Sequence, residues 1–119
     1  MFFIAKFFAD VHAAGPSCVV VTNGADGVYI SDKKTIYFHP SVHTQPISTV
    51  GAGDAFCSTF IAHLLQANSL EDACRMGIIN SANVIGHVGA QTGLLTTKEL
   101  DEQFSLFDKK LMQKYPLIL

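Results

Sequence analysis

Two glycines around an alanine, set directly ahead of an aspartate, constrain this chain more than any other feature: Ser48-Thr49-Val50-Gly51-Ala52-Gly53-Asp54-Ala55-Phe56. With no side chain at Gly51 and Gly53 and only a methyl at Ala52, backbone N–H groups can turn inward where a helix opens. The first N–H groups of a helix lack an internal acceptor and carry the positive end of its dipole, so such a terminus binds anions. An aspartate in that first turn is placed to take a proton from a hydroxyl that attacks a phosphoryl group held on those donors. The spacing alone fits equally well a tight strand-to-helix turn in which Asp54 only favours the helix N-terminus.

The rest of the chain supplies an α/β frame for that turn. Phe3, Ile4, Phe7, Phe8, Val11 and Ala14 recur at helical spacing until Gly15-Pro16, which predicts a first helix from Phe2 to about Ala14. The apolar run Cys18-Val19-Val20-Val21 is expected to be a strand covered on both faces in a mainly parallel sheet. Val28-Tyr29-Ile30 and Ile36-Tyr37-Phe38 flank a short polar connection and predict a peripheral antiparallel hairpin. A helix is expected from Ala52 or Gly53 with Phe56, Phe60, Ile61, Leu64 and Leu65 on its apolar face. Ser69 can cap the next helix, whose small-residue face runs from Ala73 and Gly77 to Ile85, and Thr96 with Glu99 can box the last, striped by Leu100, Phe104, Phe107 and Leu111.

Length and charge narrow the classes of function. A chain of 119 residues is one domain by size, taken here as residues 1–119. The net charge is −2 and the basic residues are scattered, so neither nucleic acid nor an anionic membrane is an expected partner. Cys18, Cys57 and Cys74 match no paired spacing, and the five histidines form no ligand motif, which points away from disulfides and transition metals and towards a cytoplasmic protein. The opening run Met1–Ala9 lacks a charged leader and is broken by Lys6, so it is expected to begin a helix, not a signal peptide. Only 15% of residues are charged, against about 25% in an average soluble domain, so apolar surface should be left to cover, and a homo-oligomer is expected.

Thr49 to Phe56 resembles the carboxy-terminal signature of the ribokinase (PfkB) carbohydrate kinases, D-T-x-G-A-G-D-x-F, with Ser48 where the leading aspartate stands. Val20-Val21-Thr22-Asn23-Gly24-Ala25-Asp26-Gly27-Val28 is similar to that family's T-x-G-x-x-G nucleotide segment, and Gly89-Ala90-Gln91 falls where it places a G-A loop. Together the three stretches cover roughly residues 15 to 100 in family order.

The resemblance implies the carboxy-terminal part of a three-layer ribokinase-like α/β fold. It also implies ATP-dependent phosphoryl transfer to a hydroxyl of a sugar or nucleoside, with ATP and Mg2+ as donor. Asp54 would be the catalytic base, and Gly51, Ala52 and Gly53 the anion hole. Thr22, Gly24 and Gly27 would line the ATP site, with Asn80 or Asn83 towards the adenine, although an asparagine on a tightly packed helix is as often structural. The family's monovalent cation, K+, would here meet carbonyl oxygens of Ser48, Val50, Ile85 and Ala90, and Ser48 offers it no carboxylate. Family members are much longer and carry their sugar-binding residues in an amino-terminal half that this sequence lacks, so the chain by itself is expected to be inactive. The rival from another class is a catalytically silent nucleotide-binding or scaffolding fragment.

Overall fold

A stop at Gly15 separates the first helix from a run of short strands, and with the chain's last strand these form one of two internally packed units. The computed structural model describes residues 2–42, 51–85 and 94–118. The first unit comprises residues 1–40 and 110–119 and the second residues 41–109.

In the first unit, α1 (Phe2–Ala13) buries Ala5 and Phe8 and leaves Phe3 and Phe7 exposed. It ends where Gly15 takes a positive φ of 132°. β1 (Val19–Thr22), β2 (Val28–Ser31), β3 (Thr35–His39) and β4 (Gln113–Pro116) form a four-stranded sheet in that order. Each neighbouring pair is antiparallel, with Val20 opposite Ile30, Tyr29 opposite Phe38 and Tyr37 opposite Lys114. Phe8, Ala5 and Ile36 form the centre of this unit, with Ile4, Val19, Val21, Tyr29, Tyr115 and Leu117 packed around them.

The mainly parallel sheet expected from the sequence is therefore corrected: the strands described are all antiparallel. The reason is local. Only Asn23 to Gly27 join β1 to β2, whereas a parallel crossover needs a dozen residues or more. β1 is correspondingly an edge strand with Val19–Val21 half-buried, not a strand covered on both faces. That environment belongs to β2, where Val28 and Ile30 on one face and Ser31 on the other are all buried. The expected hairpin is β2–β3, and β4 has no counterpart in the sequence reading.

His12 ties α1 to the β2–β3 turn. The Lys33 N–H donates to its Nε2 at 3.2 Å, so Nε2 is an acceptor and the proton sits on Nδ1, 2.8 Å from the Pro16 carbonyl. The Ser31 hydroxyl, 2.9 Å away, completes the contact at Nε2.

The second unit contains α2 (Ala52–Leu65), α3 (Leu70–Ile85) and α4 (Thr97–Leu106). The small residues of α3 allow the close approach expected of them: a Cβ on Gly77 would lie 2.8 Å from the Phe56 ring. Ser69 caps α3 by accepting from the Asp72 N–H at 3.0 Å, and Thr96 with Glu99 forms a full capping box on α4. Met76, Ile79 and Leu100 form a core with Leu95, Phe104 and Phe107.

Two stripes differ from expectation. On α2, Phe56 and Phe60 are buried but Ile61 and Leu65 are 54% and 82% exposed, because the buried stripe runs instead through Ala55 and Thr59. α4 ends at Leu106 as Phe107 turns to an extended ψ of 140°, which leaves Leu111 in a separate 3-10 turn, Lys109–Leu111.

Candidate functional site

In the first unit, the candidate nucleotide segment is the β1–β2 connection. Thr22 is the last, exposed residue of β1, and Gly24 opens a 3-10 turn, Gly24–Asp26, with φ 52°. The Asn23 N–H donates to the Gly27 carbonyl at 2.8 Å, closing the loop, and the Asn23 amide reaches the Asp26 carboxylate at 3.2 Å. Gly27 has φ 121°, and a Cβ there would sit 2.2 Å from the His39 carbonyl oxygen. Its lack of a side chain is therefore demanded by β3.

In the second unit, Gly51 begins the candidate anion hole with φ 82° and ψ −1°, a left-handed conformation suited to glycine. Its carbonyl accepts the first helical bond, from the Ala55 N–H at 2.8 Å. Ala52, Gly53 and Asp54 are thus the first three helical residues, whose N–H groups have no acceptor within the helix. A Cβ on Gly53 would meet nothing within 4 Å among the described residues.

Asp54 is exposed. At about 100° per residue it lies roughly opposite the buried stripe of Ala55, Phe56, Thr59 and Phe60, on the face shared with Ser58, Ile61 and Leu65. Its carboxylate is therefore presented outward on the same first turn as N–H groups that have no acceptor within the helix, an arrangement compatible with proton abstraction next to a bound phosphoryl group.

The two candidate asparagines differ. Asn80 is buried: its Nδ2 donates to the Thr59 Oγ1 at 2.9 Å and its Oδ1 accepts from the Leu95 N–H at 3.0 Å. Asn83, half-buried, lines an open cavity of about 220 Å³ with Val42, Ile79, Ala82, Gln103 and Phe107. Of the candidate cation residues, Ser48, Val50 and Ala90 lie outside the described residues, as does the G-A loop, and Ile85 is the last residue of α3. Among the described residues, no three His, Cys, Asp or Glu side chains gather as a metal site, and no helix is long and apolar enough to cross a membrane.

Thr59 was not singled out from sequence. Its signal is a lone hydroxyl residue within the buried stripe of α2, whose packing partner could only be sought on the small-residue face of α3.

The sequence pattern of the pfkB family of carbohydrate kinases matches residues 4–98. The 1-phosphofructokinase of Haloferax volcanii is 34% identical over 82 residues, which is 69% of this chain and 27% of that protein. Among solved structures, ribokinase from Cryptococcus neoformans in complex with ADP superimposes with a TM-score of 0.67 at 27% identity, over 72% of this chain and 28% of that one. A nucleoside kinase of Burkholderia thailandensis in complex with inosine gives 0.73 at 26% identity, over 82% of this chain and 33% of that one. The chain spans about a third or less of the length of each of these relatives.

Proposed function

Because the chain belongs to the pfkB family of carbohydrate kinases, we propose that it carries the nucleotide side and the catalytic base of an ATP-dependent phosphoryl transfer to a sugar or nucleoside hydroxyl. One observation supports this most: Gly51 opens α2 in a left-handed turn that leaves the N–H groups of Ala52, Gly53 and Asp54 without helical acceptors, with the Asp54 carboxylate exposed beside them. Those N–H groups stabilise the charge on the transferred γ-phosphoryl group, and Asp54 takes the proton of the attacking hydroxyl. The same arrangement serves a structural turn, but an exposed Asp54 is not needed for one.

On this reading Thr22, Gly24 and Gly27 border the donor nucleotide, consistent with the ADP named for the Cryptococcus ribokinase. Asn83, which borders an open cavity, is the better placed of the two asparagines for the adenine side. Mg2+ carried on the nucleotide phosphates would neutralise part of their charge. K+ would suit backbone carbonyl oxygens of Ser48, Val50, Ile85 and Ala90, a donor type that hard cations accept. The acceptor is a sugar or nucleoside, as the names of the relatives suggest. Turnover is assigned to the family fold as a whole, and the isolated chain to nucleotide binding without turnover.

Titration of the isotope-labelled chain with Mg-ATP, followed by amide shifts, tests the proposal. Shifts at Gly51 to Asp54 together with Thr22, Gly24 and Gly27 are expected. No shift at any of them with millimolar nucleotide refutes it.

A further inference from the structure

We propose that Asn80 is a positioning residue, acting through Thr59 on the anion-hole end of α2 and through Leu95 on the segment that leads into α4. The inference rests on the phosphoryl-transfer reading above for its consequence, though not for its geometry.

Both polar ends of Asn80 are occupied inside the second unit. The Leu95 amide can only donate, so the Asn80 atom facing it at 3.0 Å is the oxygen, and the NH2 group faces the Thr59 hydroxyl at 2.9 Å. Asn80 and Thr59 are each only 6% exposed. An amide used at both ends and shut from solvent has little left to offer a nucleotide base; what it does is join α2, α3 and the approach to α4.

The position of that join matters for Asp54. Phe56 rests on Gly77, and Thr59 is bonded to Asn80; the two contacts are three residues apart on both helices. Ala55, Phe56 and Phe60 hold α2 by dispersion, which has no direction and lets the stripe slip by small angles, whereas the hydrogen bond from Asn80 to Thr59 is directional and fixes the roll. Asp54 sits on the same helix less than two turns away, and its carboxylate stands about 5–6 Å from the helix axis. A roll of about 20° therefore displaces it by about 2 Å, more than catalytic positioning tolerates. The N–H groups of Ala52 to Asp54 turn with it.

The test compares Thr59→Val, which keeps the shape and removes the hydroxyl, with Thr59→Ser, which restores it, in the 119-residue chain. Without nucleotide, Thr59→Val is expected to move the amide resonances of Gly51 to Asp54 and Thr59→Ser to return them towards wild type. With Mg-ATP, Thr59→Val should weaken binding by about three- to tenfold and Thr59→Ser should recover it. Asn80→Ala should in addition lose the exchange protection of the Leu95 N–H, which Thr59→Val retains. If Thr59→Val fails to fold, Thr59→Ala, which also removes the hydroxyl and leaves the Asn80 bond to Leu95 in place, carries the same expectations. Lowered melting temperature with unmoved Gly51–Asp54 resonances and wild-type ATP affinity would overturn the proposal. If wild type itself shows no ATP-dependent shift, the nucleotide reading fails, and the positioning role is still decided by the nucleotide-free resonances.

Discussion

Replacing Gly27 with alanine should damage the fold far more than the same change at Gly24, although both glycines belong to one nucleotide-like segment. At Gly27 the backbone has φ 121° and ψ −148°, a region open essentially to glycine alone, and holding another residue there costs about 1–3 kcal/mol. The new Cβ would lie 2.2 Å from the His39 carbonyl oxygen and 2.8 Å from the Pro40 Cα, both backbone atoms. They can move only if the β2–β3 pairing of Val28 with His39 gives way, which adds about 1–3 kcal/mol by the usual cost of overpacking. At Gly24 the φ of 52° is an ordinary left-handed value and nothing described lies within 4 Å, so the cost is about 1–2 kcal/mol. A chain of 119 residues loses about 4 °C of melting temperature per kcal/mol. Gly27→Ala should therefore fall by about 8–24 °C and Gly24→Ala by about 4–8 °C. Thermal melts by circular dichroism, with hydrogen exchange across β2 and β3, give the comparison. A melting temperature for Gly27→Ala no lower than that for Gly24→Ala, with β2 and β3 equally protected in both, would refute the steric argument.

Burial alone would raise the Asp32 carboxyl, but bonds from the Lys34 and Thr35 N–H groups and the Tyr37 hydroxyl outweigh it and hold it below the usual range. A depressed native value adds stability above the unfolded value of about 3.9 and loses it as pH falls through the folded one, so Asp32→Asn should flatten melting temperature against pH below about 4; parallel curves would refute this. A thiol reagent at mild alkaline pH should modify exposed Cys57 first and Cys74 only on unfolding, since burial, partly offset by Arg75, pushes the Cys74 thiol up to about 12; mass spectrometry showing Cys74 modified in the folded chain would contradict it. In any assembly in which the chain turns over, Asp54→Asn should lower kcat by about 10²- to 10⁴-fold with little change in KM for ATP, and the reverse pattern would remove Asp54 from the role of base. Phe3 is 87% exposed and Leu106 88%, so light scattering should find a homodimer or larger species, and a monodisperse monomer would count against self-association.

The sequence disclosed most where backbone chemistry is local. Gly51 to Asp54 announced both the turn and the helix because few other residues permit that geometry, and Thr96 with Glu99 announced a capping box because both partners lie within one turn. It disclosed least where partners are distant. Cys18-Val19-Val20-Val21 has the composition of a covered strand, but whether a strand is central or at an edge depends on what pairs with it. β4, with Gln113, Lys114 and Pro116 exposed, presents only Tyr115 to the core, too weak a pattern to register as a strand. The bond from Asn80 to Thr59 spans 21 positions and could not be found from either residue alone.

Asp54 shares its face of α2 with Ile61 and Leu65, about 10 and 16 Å further along the helix. A surface that covers those two side chains and extends along the same face to the start of α2 also displaces water from the neighbourhood of the carboxylate. Covering and dehydration are then one equilibrium, and its occupancy follows the concentration of the covering surface relative to its dissociation constant. Where that surface belongs to a separate molecule, specific activity falls on dilution. Where it is tethered to the same chain, activity is independent of concentration. A dilution series thus separates a kinase completed by association from one completed by its own polypeptide.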